Sequence, residues 1–223
     1  MTKEEVFQIM GKYYGNAHYR SAIEQNISEN DLRLVAQMLD EINALGYNFS
    51  NLHRLNETED INFVPIIFKY FDRISAVNYR QGLLSAVRFK CYERYVPALL
   101  RIYEESPDSR IKNNASQAVM SICSRKYTQE YLRIIESPDY GKEHDWFIEL
   151  LCKLRIRTVL PRLLDLHQKN PHMWRYTLLR YAASFKDPSL IPYVSVYLDF
   201  EDPETRKMAK KAVEKLKKEE NPL

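Results

Sequence analysis

The sequence predicts an all-α fold, an α-solenoid of stacked helical hairpins, on three observations. Only 5 glycines stand beside 33 basic and 30 acidic residues in 223, a composition that suits helices and supplies too few turn glycines for many β-hairpins. Pro65, Pro97, Pro161 and Pro192 recur at intervals of 32, 64 and 31 residues. After each of them, apolar residues return at helical spacing. With 45% apolar residues the chain can build a sizeable core.

Residues 1–60 read as a helical N-terminal cap containing a degenerate repeat. "KEEVFQIMGKYY" has the pattern of a helix. Ser28, followed by Asp31, signals the start of a second one over "DLRLVAQMLDEINALGY", and Gly46 closes it. Leu32, Val35, Ala36 and Leu39 continue the register of the later first helices, whereas "NFSNLHRLNETED" makes a poor second helix. A stack of hairpins needs such an end, because its last apolar face must be covered.

Residues 61–218 read as about five units of roughly 32 residues, continuous with the cap. Their first helices open with "VPIIF", "VPALL", "LPRLL" and "IPYVS"; the remaining copy is "TQEYLRII", with Gln129 in the proline slot. Their second helices are "YRQGLLSAVRF", "IKNNASQAVMSI", "DWFIELLCKL", "WRYTLLRYAASF" and "TRKMAKKAVEKL". Ala115, Ala118, Val119 and Ile122 define one buried stripe, and Ala209, Ala212, Val213 and Leu216 repeat it. In the last unit Asp187 caps the first helix and Pro188 takes its first position. Pro192 then falls a turn further in, where a missing N–H predicts a bend. Residues 219–223 read as a frayed tail.

A bent first helix, a straight second helix and a turn rich in Asp and Pro resemble the HEAT repeat, including its short bacterial form. The last unit carries the resemblance best, with Pro192, the turn acids Asp199 and Asp202, and Arg206 fourteen residues after the proline; Pro161 and Arg175 share that interval. Arg80 and Arg110 follow their prolines at fifteen and thirteen residues, and the copy near Gln129 has neither residue. The resemblance implies a right-handed solenoid. It also implies an aspartate–arginine ladder between turns and a concave face lined by second helices, and it implies no reaction.

On that face the register leaves Arg80, Gln81, Asn113, Gln117, Trp146, Glu149, Arg175, Tyr176, Arg180, Lys207, Lys210 and Lys211 outside the core. Trp, Tyr and Arg are enriched at binding hot spots, so the expected function is a non-enzymatic scaffold that binds a protein partner. The turns leaving the second helices carry Arg88, Lys90, Arg94, Arg125, Lys126, Lys153, Arg155, Arg157 and Lys186, while the opposite turns are acidic. Compensation of helix dipoles explains both edges. A functional basic edge of Arg125, Lys126, Lys153, Arg155 and Arg157 would instead contact nucleic acid. A nucleic-acid alternative also comes from resemblance: some bacterial alkylpurine DNA glycosylases consist of HEAT-like repeats and use tryptophans, a carboxylate and an arginine. Here Trp146, Glu149, Trp174 and either Arg175 or Arg180 offer those residue types.

The net charge of +3 marks no class of partner by itself. No run approaches the ~18 apolar residues of a membrane span, and the start lacks a secretory pattern, so a cytoplasmic protein is expected. Cys91, Cys123 and Cys152 form no CxxC pair and read as buried structural thiols. His18, His53, His144, His167 and His172 form no compact ligand motif and read as exposed turn residues. Phosphate-loop and nucleophile-elbow motifs do not occur. No metal, cofactor, small-molecule substrate or catalytic residue is expected.

Overall fold

The computed structural model describes residues 27–137 and 144–220, and every regular element among them is helical. The chain divides into two compact units, Met1–Ser124 and Arg125–Leu223. The first unit holds α1 (Glu29–Asn43), α2 (Val64–Phe71), α3 (Val77–Ala86), α4 (Val96–Glu105) and α5 (Ser109–Ile122). The second holds α6 (Thr128–Ile135), α7 (Asp145–Lys153), α8 (Leu160–Lys169), α9 (Pro171–Phe185), α10 (Ile191–Ser195) and α11 (Pro203–Glu220). The predicted helix at "KEEVFQIMGKYY", His18 and residues 221–223 lie outside the described residues. No helix among the described residues is long and apolar enough to cross a membrane.

The five hairpins keep the sequence register. Their first helices start at Val64, Val96, Thr128, Leu160 and Ile191, which are 32, 32, 32 and 31 residues apart. Pro65, Pro97, Pro161 and Pro192 each occupy the second residue of such a helix. This corrects the expectation that Pro192 interrupts a helix one turn in. Asp187 does cap the segment, accepting from the Ser189 amide at 3.1 Å, but only a 3₁₀ turn over Pro188–Leu190 follows before α10 begins. The same break stands before α4, over Lys90–Tyr95, and before α8, over Arg157–Val159. Each proline therefore lies where an α-helix has unsatisfied N–H groups in any case, so its missing donor costs little.

The second helices α5, α7 and α9 end alike. Cys123, Arg155 and Lys186, 32 and 31 residues apart, adopt the left-handed conformation with φ of 57°, 59° and 54°. At Arg155 the closure is doubled: its amide donates to the Cys152 carbonyl and the Ile156 amide to the Leu151 carbonyl, both at 3.0 Å. Such closures usually fall to glycine. α3 stops differently, at Val87 with φ −106° and ψ 57°.

Within each unit the predicted stripes are buried: Ala115, Ala118, Val119 and Ile122 in the first, Ala209, Ala212, Val213 and Leu216 in the second. Leu32, Val35, Ala36 and Leu39 of α1 are fully buried, as their register requires. The Ser28 hydroxyl caps α1 by accepting from the Asp31 amide at 3.0 Å. Leu52–Glu57 forms only a 3₁₀ helix, the weak counterpart of a second helix. α3 packs on α5 in the first unit; α7 packs on α9, and α9 on α11, in the second. At the C-terminus α11 continues through Glu220, past the expected start of the tail, and Lys186 pairs with Glu219 at 3.1 Å.

Two sequence expectations fail here. Cys91 is exposed, its thiol donating to the Glu59 carbonyl at 3.1 Å, and Cys123 is half-buried; Cys152 alone is a buried thiol. His144 and His167 are buried rather than exposed, while His53 and His172 are exposed. His167 falls on the inner side of α8, where its Nε2 is hydrogen-bonded to the Tyr197 hydroxyl at 2.6 Å and its Nδ1 is buried without a partner. Burial holds its pKa below the ordinary 6.5.

Two predictions follow from these helix ends and this core. Arg155→Gly should raise the unfolding free energy by about 0.5–1 kcal/mol, because relief of ~1–2 kcal/mol of left-handed strain exceeds the ~0.4–1 kcal/mol of added chain entropy. Arg155→Ala should give no gain, and urea titration of both variants checks the pair. For His167 the folded state disfavours protonation, so its contribution is whole above the unfolded value of 6.5 and is lost as pH falls below it. The stability gap between the parent chain and His167→Gln should therefore be narrower at a pH well below that value than above it; a constant gap would contradict the assignment.

Candidate functional site

Helices α7 and α9 in the second unit frame a cleft of about 160 Å³, open to solvent and lined by Asp145, Trp146, Glu149, Met173, Trp174 and Thr177. The two walls follow one rule. Positions i, i+1 and i+4 of α7 (145, 146, 149) face positions i, i+1 and i+4 of α9 (173, 174, 177), because these spacings share one helical face. The residues between and beyond them on α7, Phe147, Ile148, Leu150 and Leu151, are buried and anchor that helix in the core. On α9, Leu178, Leu179 and Ala182 do the same. Asn170 fixes where α9 begins: its side chain accepts from the Met173 amide at 3.3 Å, and Pro171 supplies the first residue. Met173 and Trp174 are thereby held in the first turn.

Glu149 joins the two helices. Its Oε1 accepts from the Arg180 guanidinium at 2.8 Å and from the Tyr181 hydroxyl at 3.2 Å, and no hydrogen bond reaches its Oε2 among the described residues. The Glu149 side chain is 20% exposed and that of Arg180 57%. Burial, and after it the Glu149 charge, push the Cys152 thiol up to about 12 and raise the Tyr181 hydroxyl above its ordinary value. Neither group supplies a nucleophile near neutral pH.

The remaining predicted face residues divide into separate settings. Arg175 does not enter the cleft: its guanidinium lies over the rings of Tyr176, at 4.7 Å, and Phe200, at 4.8 Å. Tyr176 is 37% exposed, and its hydroxyl donates to the Asp202 carboxylate at 3.4 Å. Asp202 also accepts from the Thr205 hydroxyl and amide, which cap α11, and these bonds hold its pKa below the usual carboxylate value. Lys207, Lys210 and Lys211 are exposed. In the first unit Arg80 lies over Phe71 at 4.3 Å, and Gln117 accepts from Arg88 at 3.1 Å. Arg80, Gln81, Asn113 and Gln117 are all half-buried.

The arginines expected in a ladder between turns are placed otherwise. Arg110 pairs with Asp108 of its own turn at 2.8 Å, and Arg206 donates to the Phe200 and Glu201 carbonyls at 2.7 and 2.9 Å. Arg80 and Arg175 stack on phenylalanines, with Nε buried and unpartnered in each. Contact between repeats runs instead through the basic turns. The Arg125 guanidinium donates to the Leu154 carbonyl, and Arg157 donates to the Phe185 and Lys186 carbonyls at 2.8 and 3.3 Å. Each thus caps the C-terminus of the following second helix, where carbonyls lack intrahelical partners and positive charge is favoured. Lys126 lies over the Tyr127 ring at 5.5 Å, while Lys153 and Arg155 are exposed.

Of the predicted residues, then, the structure brings together Trp146, Glu149, Trp174 and Arg180. Met173, Thr177 and Tyr181 were missed, and Asp145 was read only as part of an acidic edge. The repeat spacing held a signal for them, since Tyr181 stands 32 residues after Glu149 and the Met173–Trp174–Thr177 set copies the spacing of Asp145–Trp146–Glu149. Among the described residues no three His, Cys, Asp or Glu side chains gather as a metal site. Neither protein-family models nor curated proteins give a match to this chain.

The capping role of the basic turns is measurable. Arg157→Ala should cost about 1.5 kcal/mol of stability by chemical denaturation, the low end of the net value of a charge-assisted bond, because water can then reach the carbonyls. Lys153→Ala should stay within ~0.5 kcal/mol.

Proposed function

We propose that this chain is a non-enzymatic scaffold whose hairpins stack as a HEAT-like α-solenoid, and that it binds a protein partner in the cytoplasm through its second-helix face. The observation that carries the reading is the open cleft between α7 and α9, lined by the buried indole of Trp174, the half-buried Trp146, the exposed Met173 and the Glu149 carboxylate. Met173 is 45% exposed, so a large apolar side chain remains in contact with water in a recess of side-chain size. Such groups gain from being covered, and an aromatic pocket rimmed by polar residues is the usual form of an interface hot spot. Repeat proteins present extended surfaces of this kind. The basic turns contribute to the stack more than to a ligand, because Arg125 and Arg157 already hold helix ends.

A second reading rests on the same cleft. Trp146, Trp174 and Glu149 are the residue types that the HEAT-like alkylpurine glycosylases use, and here they converge. The two readings separate experimentally. The immobilised full chain should retain a protein partner from native lysate, identified by mass spectrometry, and the combined Trp146→Ala, Tyr176→Ala and Arg180→Ala variant should lose it. Incubation with DNA carrying an alkylated purine should release no base. Release that disappears in Glu149→Gln would transfer the assignment to the glycosylase reading.

A further inference from the structure

The outer face of α11 carries a charge that the fold does not explain. Residues 207–218 hold six lysines and one glutamate, a net charge of +5, whereas the whole chain carries +3; the rest of the sequence is therefore net acidic, at −2. Ala209, Ala212, Val213 and Leu216 of this helix are buried. The lysines stand on the opposite side, where Lys207, Lys211, Glu214 and Lys218, at i, i+4, i+7 and i+11, share one stripe flanked by Lys210, Lys215 and Lys217. All seven side chains are exposed. Among the described residues only Lys207 of the six lysines has an acidic partner, Glu204 at 4.0 Å, and Glu214 closes an ion pair with none of them.

Compensation of the helix dipole accounts for Lys217 and Lys218 in the last turn. It does not account for the others, because the effect fades within a turn of the helix end and Lys207, Lys210 and Lys211 lie in the half of α11 nearer its positive end. Nor is this an ordinary solvated face, on which both signs are interspersed. Lys207 with Lys211, and Lys211 with Lys215, place like charges at i and i+4, a spacing that weakens a helix slightly.

The limits of this basic window select its ligand. It is about 16 Å long, at ~1.5 Å per residue, and acids bound it: Asp199, Glu201 and Glu204 before it are exposed, and Glu219 after it pairs with Lys186 at 3.1 Å. A duplex laid along α11 would carry phosphates beyond the lysines onto those carboxylates, and would meet Glu214 in mid-stripe. No aromatic residue occurs in Pro203–Glu220 on which a base could stack. A membrane surface needs an apolar face, and α11 buries its own in the core. A short acidic stretch of polypeptide fits, because its carboxylates stand apart, can straddle Glu214, and are followed by the flexible point charge of lysine.

We propose that the lysine face of α11 binds an acidic segment of the protein partner, whose carboxylates pair with Lys207, Lys210, Lys211 and Lys218. The proposal rests on the scaffold reading for its partner, and its charge preference is separable from that reading.

The full-length protein is titrated at low salt into a fluorescein-labelled peptide of repeated Glu-Ala-Ala-Glu, and binding is followed by anisotropy. The dissociation constant should be on the order of 100 µM, and the same peptide with glutamine at every glutamate should bind about tenfold more weakly. The combined Lys207→Gln, Lys210→Gln and Lys211→Gln variant should weaken the acidic peptide about tenfold, while Lys→Arg at the same positions should bind as the parent does. An equal loss of charge on the basic turns, by Lys90→Gln, Lys153→Gln and Arg155→Gln, should change the affinity by no more than about twofold. All six substituted side chains are exposed, so circular dichroism should show parental helicity in each variant. Salt of about 0.5 M should abolish binding. Equal binding of the glutamate and glutamine peptides, or equal losses in the two glutamine variants, would overturn the proposal. Tighter binding of a labelled DNA duplex than of the acidic peptide, lost in the α11 variant, would overturn it in favour of a nucleic-acid surface. If the lysate partner is retained equally by the parent and by the α11 glutamine variant, the scaffold reading stands and the lysine assignment falls. If the acidic peptide binds as expected but the lysate yields no partner, the charge preference of α11 stands and the scaffold reading falls.

Discussion

A two-helix hairpin with one apolar stripe cannot bury that stripe alone, and most of this structure follows from that constraint. Burial must come from the next hairpin, one repeat away. The side-chain contacts show the same period: Lys69 to Glu41, Tyr92 to the Asp60 carbonyl, Arg157 to the Phe185 carbonyl, Arg180 to Glu149 and His167 to Tyr197 span 28 to 32 residues. Within each unit, stability is thus distributed over neighbouring pairs of hairpins. A weakened contact is felt first by the two hairpins that share it.

Packing between neighbouring helices also governs how helix ends are finished. Short helices have a large share of unsatisfied backbone groups, four at each end, and the repeat treats the two ends differently. At first-helix starts proline removes a donor that had no partner. A left-handed residue ends α5, α7 and α9, and at α5 and α7 the turn also satisfies a late carbonyl, although none of Cys123, Arg155 and Lys186 is a glycine. Arginine from the preceding repeat then completes the closure of α7 and α9. Arg125 and Arg157 of the basic edge are accordingly helix caps before they are a surface for any ligand.

The cleft arises where this regularity leaves room. On α7 and α9 the core takes one side of each helix, and the i, i+1 and i+4 positions next to it carry the tryptophans, Asp145, Glu149, Met173 and Thr177. Glu149 ties the helices together through Arg180 and Tyr181, both of which bond to its Oε1. The same residue thus links two repeats and sets the polarity of the recess between them.

Repeat length, helix order and the buried stripes were legible in the sequence by itself, because they depend on local periodicity and on backbone rules that act over a few residues, whereas the place of Pro192 at the start of its helix was not. Leu32, Val35, Ala36 and Leu39 show this: their spacing alone places them in the core. Only the tertiary structure decided that Arg157 and Arg125 cap a neighbour's helix, that Arg180 rather than Arg175 meets Glu149, that His167 is buried against Tyr197, and that Cys91 is exposed. These outcomes depend on which long side chain reaches which partner about thirty residues away, a matter of packing geometry that residue type and spacing do not encode.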